Sequence, residues 1–199
     1  EWCVSPKFVI NATGVILHTN LGRAPLSYES TMAIQKVVSG YSDLELDLDK
    51  GIRGSRQTFV SNLLCQLTGA ESALVVNNNA AAILLGLSVL ADGKEVLISR
   101  GQAVEMGGGF RIPELLQQTK ATLVEVGTTN RTYIEDYKNA INDKTAAILS
   151  IHTSNFKVTG FTHSPKIDEL ATLGMKHGIP VLNDLGSGCL LDTSQFNLA

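Results

Sequence analysis

The chain has 199 residues, 44% of them apolar and 18% charged, and its 16 basic and 19 acidic side chains give a formal net charge of −3. This is the composition of a packed globular protein and excludes a disordered chain. It also argues against this segment alone gripping nucleic acid strongly, because neutralising phosphates takes clustered Lys and Arg.

Residues 10–22 form an irregular stretch rich in Asn, Thr and Gly. A helix is expected over 25–38 with Ser27 as its cap, then a polar loop over 42–56 and a second helix over 57–67. From there short apolar runs alternate with amphipathic stretches. Strands are expected at 72–76, 95–99, 121–126, 146–151 and 179–183, and helices at 79–91, 113–119, 134–141 and 164–177, the last with Pro165 in its first turn. This alternation predicts an α/β fold, a mainly parallel sheet flanked by helices and preceded by an irregular, partly helical N-terminal arm. The division expected is 1–70 for the arm and 71–199 for the sheet domain. Five strands are few for such a sheet, so the domain is expected to be incomplete.

The longest apolar run, Ala80 to Ala91, is too short and interrupted for a membrane span. No signal peptide is visible in the first ten residues. Cys3, Cys65 and Cys189 form neither a metal pattern nor a disulfide framework, so the expectation is a cytoplasmic protein without metal. Asp43 to Gly51 resembles a calcium loop, but Lys50 and Arg56 stand where its glycine and closing acid belong.

Four constellations could carry chemistry. The turn Asn77-Asn-Asn-Ala-Ala-Ala82, between a strand and a helix, offers free N–H groups and a helix dipole to an anion; taken alone it reads more readily as an asparagine-capped buried helix. Asp184, in Val181-Leu-Asn-Asp-Leu-Gly-Ser-Gly188, is placed at a strand's C-terminal end, where ligands meet a parallel sheet. A carboxylate there can pair with a protonated ring nitrogen, or simply make an Asx-turn. In His152-Thr-Ser-Asn155 an amide could reach a ring hydroxyl, or serve the turn. Arg53-Gly-Ser-Arg56 presents two forked donors to a phosphate or carboxylate, or forms a solvated basic turn.

Taken in order, these strings resemble the bacterial L-seryl-tRNA(Sec) selenium transferases (selenocysteine synthases). The resemblance rests on Ile10-Asn-Ala-Thr-Gly-Val-Ile-Leu-His-Thr-Asn-Leu-Gly-Arg-Ala24, Arg53-Gly-Ser-Arg56, Leu74-Val-Val-Asn-Asn-Asn-Ala-Ala-Ala82, Val126-Gly-Thr-Thr-Asn-Arg131, His152-Thr-Ser-Asn155 and Asp184-Leu-Gly-Ser-Gly188. It implies a fold-type I enzyme that uses pyridoxal 5'-phosphate to convert seryl-tRNA(Sec) to selenocysteinyl-tRNA(Sec) through an aminoacrylate, with selenophosphate as selenium donor. By motif position it implies that Asn78, Asn79 and Ala80 hold the phosphate, Asp184 pairs with the pyridine nitrogen and Asn155 approaches the ring hydroxyl. Arg53 and Arg56 become candidates for the anionic donor or substrate, and Gln102, then Glu105, for the residue stacked on the ring. It also implies a homo-oligomer, with 11–23 as the arm that reaches a neighbour.

In that family the lysine that holds the cofactor follows the Asp-Leu-Gly-Ser-Gly string in a Ser-Gly-Asp-Lys context. No lysine here stands in that context, and Lys157 precedes Asp184. The chain is therefore expected to be an inactive part of an enzyme that also has a tRNA-binding domain and a small C-terminal domain. Two other readings stay open: a related pyridoxal-phosphate lyase or transferase acting on a small amino acid, and a non-catalytic α/β binding module.

Overall fold

The structure is a computed structural model that describes residues 6–106, 110–153, 156–186 and 188–196. It divides into two compact units, Glu1–Thr58 and Phe59–Ala199.

In the first unit, α1 (Tyr28–Val38) starts where the Ser27 hydroxyl accepts the Ser30 N–H. The expected polar loop over 42–56 instead contains a small antiparallel hairpin, β1 (Leu46–Asp47) with β2 (Ile52–Arg53). Its turn is closed by Asp47, whose carboxylate accepts the Lys50 N–H and whose carbonyl accepts the Gly51 N–H, with Gly51 at φ +64°. Polar composition concealed a hairpin because its strands are only two residues long.

The second unit begins within α2 (Thr58–Thr68), one residue past its start, and continues with α3 (Asn79–Leu90). Then come β3 (Glu95–Ser99), the short hairpin β4 (Glu105–Met106) and β5 (Phe110–Arg111), α4 (Ile112–Gln117), β6 (Thr122–Val126), α5 (Ile134–Ala140), β7 (Thr145–Ile151), α6 (Ile167–His177) and β8 (Val181–Asp184). Four strands form one sheet in the order β6-β3-β7-β8, every pair parallel. All four C-terminal ends therefore lie along one edge. After β6 the chain crosses over β3 to β7, so the strand order reverses between β3 and β7, and a crevice opens there.

Alternation along the strands sorts the core into two layers. Val96, Ile98, Ala147, Leu149 and Ile151 pack with Ile83 and Leu87 of α3 and with Ile112 and Leu116 of α4. On the other face Leu97, Val126 and Ile148 pack with Tyr137 of α5 and with Leu170 and Leu173 of α6. Burial on both faces explains why these strands read as continuous apolar runs.

Two expectations need correction. The strand expected over 72–76 joins no ladder among the described residues: the segment is irregular, Leu74 is 60% exposed, and Ala73 is held by the Ser61 hydroxyl of α2 at 2.6 Å. An apolar run reports hydrophobicity and says nothing about whether an edge is there to pair with. Pro165 precedes α6 rather than standing in its first turn; the helix begins after Lys166, whose N–H donates to Glu169 Oε2 at 2.7 Å. No helix among the described residues is long and apolar enough to cross a membrane.

Two predictions follow from this packing. A Cβ on Gly174 of α6 would stand 2.5 Å from the Ile179 carbonyl oxygen and 2.8 Å from Val181 Cγ2. Gly174→Ala is therefore expected to lower stability by about 1–3 kcal/mol in urea unfolding, despite alanine's better helix propensity. The phenol of Tyr137 is 1% exposed, and burial pushes it from 10.0 up to about 12; the nearby Asp136 charge also raises it, and a hydrogen bond from the Ser99 backbone works the other way. The folded chain keeps that proton after the unfolded chain has released its own. The associated stability is whole below pH 10 and is lost as pH climbs to about 12. In a spectrophotometric titration, Tyr137→Phe should remove the phenolate component that emerges at about pH 12.

Candidate active site at the C-terminal edge of the sheet

β8 ends on Asp184, a carboxylate only 6% exposed. A charge buried to that extent needs partners, and it has them. Asn79, the first residue of α3, donates its Nδ2 to both carboxylate oxygens at 3.0 Å each, and the Gly186 N–H donates to Oδ1 at 2.8 Å. The Asp184 carbonyl accepts the His152 N–H at 2.9 Å, tying the end of β8 to the end of β7. The Asx-turn at Asp184 is thus real, and it leaves the carboxylate at the sheet edge beside a helix start.

That helix start is also capped. Asn78 Oδ1 accepts the Ala81 N–H at 2.9 Å, and the Asn78 carbonyl accepts the Ala82 N–H. Within α3 this leaves the N–H groups of Asn79 and Ala80 without an intrahelical acceptor, at the positive end of the helix dipole. The donor set beside Asp184 therefore suits a small ligand with an anionic group at one end and a protonated ring nitrogen at the other.

Gln102 lies at the strand-order reversal. Its Oε1 accepts the Ile151 N–H at 3.1 Å, so its amide bridges the loop after β3 to the last residue of β7. Glu105 is engaged by Arg111 Nε at 2.7 Å. Asn155 lies outside the described residues. In the first unit, Arg53 and Arg56 both pair with Glu45, Arg53 Nη2 at 2.9 Å from Oε2 and Arg56 with Oε1.

The family model for L-seryl-tRNA selenium transferases matches residues 9–199. The chain belongs to this family. It is 57% identical over 194 residues to the L-seryl-tRNA(Sec) selenium transferase of Geobacter metallireducens, covering 98% of this chain and 42% of that protein. The counterpart in Carboxydothermus hydrogenoformans is 58% identical over 190 residues, covering 96% of this chain and 41% of its own length. The chain thus spans about two fifths of the length of these relatives. Among solved structures, D-glucosaminate-6-phosphate ammonia-lyase superposes with a TM-score of 0.66 at 20% identity, over 85% of this chain and 47% of that one. An aminotransferase from Psychrobacter cryohalolentis gives 0.55 at 16% identity, over 83% and 38%. These likenesses establish the fold as part of a fold-type I large domain.

A brace with no local signature in the sequence stands beside this edge. The loop after β6 and the segment before α6 are joined by the Thr132 N–H to the His163 carbonyl at 3.0 Å, by His163 Nδ1 to the Thr132 carbonyl at 2.8 Å, and by Asn130 Nδ2 to the Phe161 carbonyl at 2.6 Å. The His163 and Tyr133 rings stack at 4.3 Å. Facing a carbonyl, His163 Nδ1 must be the donor. The Thr132 hydroxyl, buried, meets Ser99 Oγ at 2.7 Å and so fastens the brace to the end of β3. Gly127 makes the turn possible: its φ is +70°, and a Cβ there would lie 2.5 Å from Thr132 Oγ1. Val126-Gly-Thr-Thr-Asn-Arg131 is one of the strings that carry the family resemblance, but the segment it binds lies some thirty residues further on.

A cleft of about 380 Å³ opens between these loops, lined among others by Gln102, Thr129, Arg131, Thr153 and Lys157. Thr132→Val would leave the buried Ser99 hydroxyl without this partner. It is expected to cost about 1–3 kcal/mol and to speed amide exchange across 127–133 in hydrogen-exchange measurements.

Proposed function

We propose that the protein carrying this chain converts seryl-tRNA(Sec) to selenocysteinyl-tRNA(Sec), with pyridoxal 5'-phosphate as cofactor and selenophosphate as selenium donor. The observation that carries this reading is the junction of Asp184 with the start of α3, in a chain of the selenium transferase family. A pyridoxal ring carries a phosphate arm and a basic nitrogen, and this edge offers first-turn amides and a buried carboxylate side by side. The donor set fits the cofactor.

In this reading the N–H groups of Asn79 and Ala80 take the phosphate, with Asn78 holding the turn open for it. Asp184 accepts a hydrogen bond from the ring N–H and so keeps the ring cationic. When bound, the cofactor supplies a sink for the electron pair left behind as the seryl Cα loses its proton. Gln102, fixed over the end of β7, is the residue proposed to lie against the ring face, ahead of Glu105. Asn155 is proposed for the ring hydroxyl. Arg53 and Arg56 share one acid, Glu45, so the pair keeps a net positive charge to offer an anionic selenium donor.

The family match favours this reading over a lyase acting on a free amino acid. A cytoplasmic location goes with an aminoacylated tRNA as substrate. A homo-oligomer, with 11–23 as the arm that reaches a neighbour, goes with the family resemblance and belongs to the same proposal.

The test is conversion of seryl-tRNA(Sec) by the full-length protein supplied with selenophosphate and pyridoxal 5'-phosphate. Asp184→Ala is expected to lower the rate by about a hundred-fold or more, the scale of losing one preorganised electrostatic partner. A wild-type protein that forms no selenocysteinyl-tRNA, or an Asp184→Ala variant that works at the normal rate, would sink the proposal.

A further inference from the structure

The side chain of Asn79 is used neither by the helix cap nor by the phosphate-binding reading. Asn78 performs the capping, and a phosphate at the start of α3 would need only the backbone N–H of Asn79. Its amide instead spans both oxygens of Asp184, a residue 105 positions away in the sequence. The amide orientation follows from chemistry, because its oxygen turned toward a carboxylate would set acceptor against acceptor.

We propose that Asn79 is a positioning residue for Asp184, fixing the plane of its carboxylate and leaving Oδ2 as the oxygen that receives the ring nitrogen. This rests on the pyridoxal-phosphate reading above and adds to it which oxygen acts and what aims it. A carboxylate offers about four acceptor directions. Among the described residues, Oδ1 spends two, on Asn79 and on the Gly186 N–H, and Oδ2 spends one on Asn79. The remaining direction belongs to Oδ2. Because the same asparagine opens α3, the carboxylate that faces the ring nitrogen and the amides that face the phosphate are set by one residue.

The experiment measures dissociation constants of pyridoxal 5'-phosphate and of phosphate-free pyridoxal for the full-length protein, as wild type, N79A, D184N and the double variant. Protonation of the ring is read from the NMR shift of a nitrogen-15-labelled pyridine. N79A is expected to weaken both ligands by the same factor, about ten-fold, as suits loss of hydrogen bonds to a charged group. It should also move the ring nitrogen toward its unprotonated shift and have no further effect on top of D184N. N79D keeps the side-chain volume but sets two carboxylates face to face; it is expected to weaken both ligands at least as much, and covers the case of an N79A variant that does not fold. Weakening of the phosphorylated ligand alone, weakening that persists in the D184N background, or unchanged binding by N79D would overturn the positioning role and leave the site standing. A wild-type protein that binds neither ligand would remove the site and this role together.

Discussion

The second unit depends on a buried carboxylate that must be matched. Asp184 sits at the end of a parallel strand, where the sheet brings all its C-terminal ends to one edge, and water reaches little of it. An isolated charge in that position would cost several kcal/mol. Asn79 and Gly186 offset that cost with three hydrogen bonds, and so the start of α3 is pinned to the end of β8. The contact that makes the acid tolerable also brings a helix N-terminus beside it, and the proposed ligand site is built on that pairing.

Around that junction the fold is a platform with braces. Two apolar layers, one on each face of the sheet, hold β3 and β7 rigid, so their last residues are fixed reference points. The loops that leave them are tied down individually. Gln102 bridges the ends of β3 and β7 where the strand order reverses by accepting the Ile151 N–H, and Thr132 fastens the loop after β6 to Ser99. Polar groups at the edge are thus committed to one another, which orders this edge of the sheet.

Readings that seemed to compete from sequence turn out to be compatible. Asn78 is a helix cap, and for that reason the next two amides stand free of the helix. Asp184 does make an Asx-turn through Gly186, yet that uses one acceptor direction of its carboxylate. In a parallel α/β sheet the residues that terminate strands and start helices are also those a ligand meets. The structural duties seen here and the functional ones proposed fall on the same side chains.

By itself the sequence determined the elements and their class. Alternating apolar runs placed β3, β6, β7 and β8 to within a few residues, and Ser27 marked the start of α1, because burial on two faces and capping leave local signatures. The motif strings from Ile10 to Gly188 carried the family, and Asp184 and the Asn77–Ala82 turn were legible as site candidates from their place between strand and helix. Tertiary structure alone decided what these residues touch. It showed that 72–76 joins no ladder among the described residues, that Arg53 and Arg56 share Glu45, that Asn79 serves Asp184, and that the Gly127 loop is braced by residues near Phe161 and His163. The reason is range. Periodicity, capping and turn chemistry act over a few residues, whereas a hydrogen bond across 105 positions exists only once packing has brought two distant segments to the same edge of a sheet.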